Sequence, residues 1–461
     1  MSFEFIETEL GNFVEIVTKK CDASIIDVTN YISTENMLPD RQGVTISSGI
    51  PDVNKFNSFE IGDTLFSNIR THFKKVWFAT FYGGVSPDVL VFRTTHEKLT
   101  SEYLHLILSS DDFINYSHLT SKGAKMPRGD KGAMLSYKIK IPSLKYQKRC
   151  TKLIFTLSKK IDSNNRINQT LEQMAQALFK SWFVDFDPVK AKMAVLDAGG
   201  SQADATLAAM TAISGKDADA LAVFEREHPE QYAELKATAE LFPAAMQDSE
   251  LGAIPKGWGV ASISEMGKVT CGKTPSKKEP EYYGSDVPFI KIPDMHGQLF
   301  VLKTNEYLSE AGSKSQLKKL VPANSICVSC IATIGVVSIT NEPSHTNQQI
   351  NSVTPHKSSL LYYLYFCMLG LKDHLHILGS AGSATLNVNT STFSGIKIAQ
   401  PDAKVLELFH AKCTHLFNEI KSLSVQTESL TQLRDTLLPK LLSGEITLQE
   451  AEQAVSEVEN V

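Results

Sequence analysis

Apolar residues recur at alternating steps of three and four along two long stretches of the chain. From Ile154 the first stripe runs Leu157, Ile161, Asn164, Asn168, Leu171, Ala175, Leu178 and Trp182. The second runs Cys413, Leu416, Ile420, Leu423, Thr427, Leu430, Arg434, Leu437 and Leu441. Such steps fill the a and d positions of successive heptads, which predicts a coiled-coil seam. Leu157, Ile161, Leu171 and Leu178 are its expected contacts on one helix, and Leu416, Ile420, Leu430 and Leu437 on the other. A helix of about 35 residues spans about 50 Å and cannot bury its stripe inside one small domain. The two are therefore expected to pack antiparallel on each other, with globular blocks at opposite ends. Asn164 and Asn168 are polar seam positions that either fix the register or mark a splay. Two unrelated surface helices are the competing reading.

Punctuation bounds these helices. Asp185, Asp187 and Pro188 follow the first; Ser443-Gly444 closes the second, and Pro439 is expected to kink or end it early. Residues 217–241 read as helix and Gly199-Gly200-Ser201 as a linker. The near-apolar run Leu360–Leu371 is too short to cross a membrane, which takes about 18–20 residues, and reads as a buried helix.

The two stretches are also copies. At an offset of 259, Leu157, Ile161, Ser163, Leu171, Gln173 and Leu178 fall on Leu416, Ile420, Ser422, Leu430, Gln432 and Leu437, all identical. Upstream, Ile139-Lys140-Ile141 falls on Ile396-Lys397-Ile398 at an offset of 257. Further back, GDTLFSNI (62–69) resembles ANSICVSCI (323–331) with one insertion, which sets Phe66 and Asn68 opposite Cys327 and Cys330. Each half thus reads as globular block, short strand, proline, long helix. The expected fold is α+β: two globular domains related by pseudo-twofold symmetry, separated by two long antiparallel coiled-coil helices.

Charge changes the picture only locally. The 461 residues carry 46 basic and 51 acidic groups, net −5, which excludes a uniformly basic nucleic-acid coat. Residues 1–150, 151–190 and 256–400 are net +1, +2 and +4; residues 191–255 and 401–461 are net −7 and −5. Two neutral-to-basic blocks alternate with two acidic ones, and a phosphate-facing field is local. At 42% hydrophobic residues the chain has material for real cores. Seven cysteines without a dense framework fit reduced thiols in a cytoplasm. The opening MSFEFIETEL has no basic n-region and is not read as a secretory signal.

Few motifs promise catalysis. Gly267 to Thr274 matches GxxxxGK[ST] formally, but Pro275 follows where a helix should start, so a basic loop is the better reading. Cys327 and Cys330 form a lone CxxC without the further ligands a zinc site needs and read as buried strand residues. His374 and His376, two apart in a helix-like region, are on different faces. No methyltransferase, serine-hydrolase or defensible nuclease signature stands out. What remains is recognition chemistry. Arg and Lys bond phosphate or guanine, and Asn and Gln bond adenine. In the first block the candidate DNA contacts are Asn68, Arg70, Lys74 and Lys75, then Lys122, Lys125, Arg128 and Lys131. In the second they are Lys273, Lys277 and Lys278, then Asn347, Gln348 and Gln349, then Ser383, Thr385, Asn387 and Asn389. The glycine-bearing loops 121–134 and 379–389 precede the paired strands at similar distances. No metal ligand set and no catalytic residue is assigned.

Together these residues resemble the specificity subunit of type I restriction–modification enzymes. LEQMAQALFKSWFVDFDPVKAK (171–192) is similar to that family's central region, LFPAAMQDSELGAIPKGW (241–258) to its lead into a second target-recognition domain, and TQLRDTLLPKLLSGEI (431–446) to its distal region. YISTENMLPD (31–40) and GDTLFSNIRTHFKKVWFATFYGG (62–84) look like a recurrent first recognition domain. The resemblance implies target-recognition domains at 1–145 and 251–402 and coiled-coil helices at 146–190 and 403–445; composition adds an acidic Ala-rich insertion or linker with a helix at 191–250, of which 191–240 matches nothing in that family, and an acidic tail at 446–461. It further implies a cytoplasmic, non-catalytic subunit that binds no cofactor itself. Its partners would be double-stranded DNA, two modification subunits that carry S-adenosylmethionine, and restriction subunits that use ATP and Mg; no membrane is involved. Each domain would read half of a bipartite site about one helical turn from the other. The alternative is a coiled-coil protein-binding scaffold without DNA specificity; a P-loop nucleotidase is a third.

Overall fold

The computed structural model describes residues 5–123, 127–380 and 386–459. It resolves into two compact units. The first takes the chain as far as Arg166 together with Ser424 onward; the second spans Ile167–Leu423. The long helices Leu144–Phe183 and Ala403–Ser443 each give one part to either unit.

In the first unit an antiparallel four-stranded sheet has the order Val14–Ile16, Val89–Thr94, Thr64–Ser67, Val76–Phe78. A second sheet runs Lys20–Asp22, Lys55–Phe59, Gly83–Val85, Tyr31–Ile32, its last pair parallel. A ribbon pairs Ile6–Glu9 with Lys138–Ile141. Helices Ser101–Ser109, Asp111–Leu119 and Lys131–Leu135 start where Thr100, Ser110 and Asp130 accept N–H bonds from Tyr103, Phe113 and Ala133, the side-chain capping that helix N-termini require. The core joins Phe66, Phe92 and Phe113, in edge-on contacts, to Leu157 and Ile161 of one long helix and Leu430, Leu437 and Leu441 of the other. These helix segments run antiparallel. Tyr146 donates to the Leu441 carbonyl at 3.0 Å, and eighteen residues later Asn164 Nδ2 donates to Gln426 Oε1 at 2.8 Å.

The second unit repeats this plan. A five-stranded sheet runs Gly267–Cys271, Ile350–Pro355, Ile326–Ser329, Val337–Thr340, Phe300–Val301. The smaller sheet runs Tyr283–Gly284, Tyr307–Leu308, Val287–Ile290, His345–Thr346, again ending in a parallel pair. A ribbon pairs Gly259–Ser262 with Lys397–Gln400. Leu361–Gly370 is the buried helix expected from its apolar run. Trp182, Phe183, Phe409 and Phe417 pack its core, with Leu178 and Leu416 half-buried beside them. Of the remaining seam positions Ile420 is buried and Leu171 half-buried.

The repeat holds with a simpler register than expected. The ribbon strands Lys138–Ile141 and Lys397–Gln400 correspond end to end, with Ile139 on Ile398, both buried, and Pro142 on Pro401, so the offset of 259 extends through the strands and 257 is a misregister. Residues 62–69 match 324–331 without insertion. Gly62 and Asn324 both take positive φ, as do Arg70 and Ala332. Leu65, not Phe66, therefore lies opposite Cys327. Tyr31-Ile32 and Phe289-Ile290 occupy the same parallel pairing, and each is followed by a turn closed by Asn36 or Asp294.

Three further expectations change. Gly199-Gly200-Ser201 is no linker: Gly199 takes φ 81°, and Gly199 and Gly200 donate to the carbonyls of Leu196 and Val195. Ser201 then forms a capping box with Asp204. One helix stops and the next starts within three residues. The span 187–240 is a set of four helices: Asp187–Asp197, Gln202–Ser214, Ala218–Glu227 and Pro229–Glu240. The acidic end of the chain is helix Leu448–Glu459, whose Leu448, Ala451 and Val455 are buried in the first unit. The second long helix does not end early at Pro439 but runs to Ser443, anchored by buried Leu437, Leu438 and Leu441, and closes as expected at Gly444, φ 79°.

Candidate nucleic-acid interface

In the first unit the strand Thr64–Ser67 leaves the sheet at Asn68, and three segments meet there. Asn68 N–H donates to the Asp88 carbonyl at 2.8 Å, and Gly129 N–H to the Asn68 carbonyl at 3.2 Å. Ile69 and Lys122 each form a β-bridge with Arg128. Gly129 allows a close approach: a Cβ there would lie 2.2 Å from Met134 Cε and 2.9 Å from Asn68 Oδ1, and those side-chain ends would have to shift. This knits Asn68, Arg70, Lys122, Arg128 and Lys131 into one edge. Arg70, Lys122, Arg128 and Lys131 are exposed, whereas Asn68 is buried.

Carboxylates hold two of these cations. Arg128 pairs with Asp88 at 2.8 Å, Lys122 with Asp130. The Lys122 ammonium and the Ala133 N–H keep the Asp130 carboxyl below its ordinary range. Lys74 pairs with Asp111 at 2.8 Å, and Arg41 shares that carboxylate. Burial pulls Asp111 up, but the two cations outweigh it and leave its carboxyl below the usual range. Lys75 is turned inward: its ammonium donates to the Thr34 carbonyl at 2.6 Å, and burial lowers its pKa. Its ammonium is thus less free for a ligand than those of the exposed lysines.

The second unit builds the same junction from neutral groups. Cys330 N–H donates to the Gln349 carbonyl at 2.8 Å, Val388 N–H to the Cys330 carbonyl at 2.9 Å, and Ile331 bridges Asn387. Asp88 thus corresponds to Gln349, Asn68 to Cys330 and Arg128 to Asn387. Asn389 caps helix Thr390–Gly395 through Thr392 N–H as Asp130 caps its counterpart. Asn347 is buried and bonds Gln349, while Gln348 is exposed and accepts from the Thr274 hydroxyl at 2.6 Å. Lys273 is exposed beside them, its N–H on the Thr346 carbonyl. Lys277 and Lys278 lie on an exposed turn further along. Lys125, Ser383 and Thr385 lie outside the described residues.

The formal phosphate loop is a sheet edge. Gly267–Cys271 is a strand and no helix starts at Lys273. Gly272 is needed because a Cβ would meet the Asn347 carbonyl at 2.1 Å. Cys327 and Cys330 are buried free thiols, pushed by burial up to about 11. Among the described residues no group of three or more His, Cys, Asp or Glu is placed to hold a metal ion. No helix among them is long and apolar enough to cross a membrane. Behind the amide loop, His345 is fully buried, 2.9 Å from Ser313 Oγ.

Sequence reasoning missed the acidic partners. Asp130 carried a local signal, a capping residue before a short helix. Asp88 carried none, because its pairing with Arg128 exists only once the strand exit has brought residues forty apart together.

Comparison with known proteins agrees with this doubled plan. The family model of the type I restriction modification DNA specificity domain matches residues 4–173 and again 255–421. The specificity subunit of the type I restriction enzyme HindI from Haemophilus influenzae is 40% identical over 454 residues, covering 95% of this chain and 99% of that protein. The MjaIX specificity subunit of Methanocaldococcus jannaschii is 22% identical, over 76% of this chain and 70% of that one. The crystal structure of a type I S subunit from M. genitalium matches with a TM-score of 0.53 at 12% identity, covering 95% and 96% of the two chains, a likeness of fold. The chain belongs to the type I restriction–modification specificity subunits and carries two copies of their DNA-recognition domain.

Proposed function

We propose that each unit reads one half of a bipartite duplex DNA site, while the long helices set the unread spacer and dock two modification subunits. The observation that carries this is the doubled junction. In both units the same strand exit, turn and capped short helix meet, with polar side chains at equivalent places. Restriction subunits complete the assembly. S-adenosylmethionine is bound by the modification subunits, and ATP and Mg by the restriction subunits. The complex works in the cytoplasm. Arg, Lys, Asn and Gln around each junction supply the base and phosphate contacts.

The test is single-molecule methylation sequencing of DNA from cells carrying the chain with its modification subunits. The expected result is a motif of two short halves around a fixed gap. Inserting one heptad into both long helices lengthens each by about 10 Å and should change the gap while sparing both halves. An uninterrupted motif, or an unchanged gap in the heptad variant, overturns the reading. Capture of modification subunits without any motif favours the protein-binding scaffold.

A further inference from the structure

The repeat isolates one chemical difference between the readers. At the junction the first unit has Asp88 and Arg128, an ion pair at 2.8 Å, with side-chain exposures of 31% and 61%. The equivalent positions of the second unit are Gln349 and Asn387, both neutral. Arg128 thus keeps most of its side chain toward solvent while one terminal nitrogen of its guanidinium is held by a carboxylate. Nothing in the fold requires this pair, since the backbone bonds that build the junction are made equally well around Gln349 and Asn387.

We propose that Asp88 is a specificity-determining residue: paired with Arg128, it restricts the first unit's loop to a guanine–cytosine pair at one position of its half-site. The inference rests on the reading of the first unit as a DNA reader. An unpaired arginine beside a duplex binds phosphate at every step, whatever the sequence. A carboxylate at its side repels phosphate and so weakens that contact everywhere. Guanine presents two uncharged acceptors, O6 and N7, which the free donors of a paired guanidinium can still reach. The cytosine opposite presents its N4–H donor, which a carboxylate accepts. With adenine in the place of guanine, its N6 donor would face the cation and thymine O4 the carboxylate; with thymine there, O4 still accepts but a methyl group stands where guanine N7 would, and the bidentate contact is lost. The pair therefore converts a sequence-blind cation into a two-sided reader. Asp88 acts partly through Arg128, as a positioning residue for it.

The experiment uses the full chain assembled with its modification subunits. Methylation sequencing gives the motif of each variant, and titration of cognate and scrambled duplexes of equal length gives the affinities. Asp88→Asn should relax one position of one half-site and raise affinity for scrambled duplex about tenfold, by restoring a phosphate contact, with little change for the cognate. Asp88→Glu should keep the motif. Arg128→Ala should weaken cognate binding about ten- to a hundredfold, as expected for removal of a bidentate base interaction. Unchanged base preference in Asp88→Asn overturns the proposal, as does a wild-type motif with no guanine–cytosine pair in the half that Asp88→Asn or Arg128→Ala alters. In both cases the bipartite motif itself survives. Absence of any bipartite motif in the wild type instead removes the underlying reading, and the proposal with it.

Discussion

Asn164, buried on the first long helix, donates through Nδ2 to Gln426 Oε1 of the second at 2.8 Å. Of the two readings open for this polar seam position, a register pin and a splay, the bond favours the pin, because only one alignment of the stripes brings these amides together. Replacing Asn164 by Leu strands the Gln426 amide and is expected to cost about 1–3 kcal/mol. Asn164→Leu with Gln426→Leu should recover most of that. A double-mutant cycle on chemical denaturation reads the coupling; simple additivity would show that the amides do not act as a pair.

The buried histidine of the second unit makes its stability fall in mild acid. Burial lowers the His345 pKa to about 4. Unfolded, the group would titrate at its ordinary value near 6.5, so between about 6.5 and 4 the unfolded chain binds a proton that the folded one excludes. Stability is full above this window and lost as the pH falls through it, by about 2 kcal/mol at pH 5. His345→Gln should flatten that part of the pH dependence, followed as the thermal midpoint between pH 7 and 5. An equally steep profile in the variant would place the acid sensitivity elsewhere.

Gly272 tests whether the GxxxxGK[ST] match has any bearing on nucleotides. An added Cβ would strike the Asn347 and Thr346 carbonyls at 2.1 and 2.3 Å, so Gly272→Ala should destabilise the second unit by about 1–3 kcal/mol or more, as overpacking does. Calorimetric titration of the wild type with ATP should show no heat of binding. Heat that disappears in Lys273→Ala would revive the nucleotide reading.

Three lysines of the second unit should act on DNA without choosing sequence. Lys273, Lys277 and Lys278 are exposed. Their joint replacement by Ala should weaken binding of the assembled complex to cognate and scrambled duplexes alike. The slope of log K against log salt should flatten by up to about 3, near 0.9 for each phosphate no longer neutralised. A change of motif instead would show that they touch bases.

The last helix should matter to the beginning of the chain. Leu448, Ala451 and Val455 are buried with Tyr146, Cys150 and Ile154, and Arg149 bonds Glu452 at 2.9 Å. Removing residues 447–461 should accelerate hydrogen exchange at Leu65 and Val91, while Ile326 and Val353 keep their protection. Uniform loss in both units would contradict this placement.

The seam was legible because strict heptads leave a periodic trace: Leu157, Ile161, Leu430 and Leu437 are buried where the stripe puts them. Phe417 falls off that stripe, yet it is fully buried; where a helix enters a globular core, it is touched from more than one side. The acidic end of the chain hid a helix because its net charge outweighed the apolar spacing of Leu448, Ala451 and Val455. The strand register slipped because short alternating segments such as Ile139-Lys140-Ile141 match themselves at a shift of two. The junctions were legible only as two polar loops. What gathers Asn68, Asp88 and Arg128 is backbone bonding between distant segments, and no single segment encodes it.

Sharing both rods between the units has a consequence for biosynthesis. The N-terminal reader leaves the ribosome first but lacks the leucines of residues 430–448 that close its interior. The whole second unit, Ile167–Leu423, is translated in between, roughly 10–50 s at ordinary elongation rates. During that interval the nascent first half waits with an open apolar flank, so the order in which the two readers mature is the reverse of the order in which they are made.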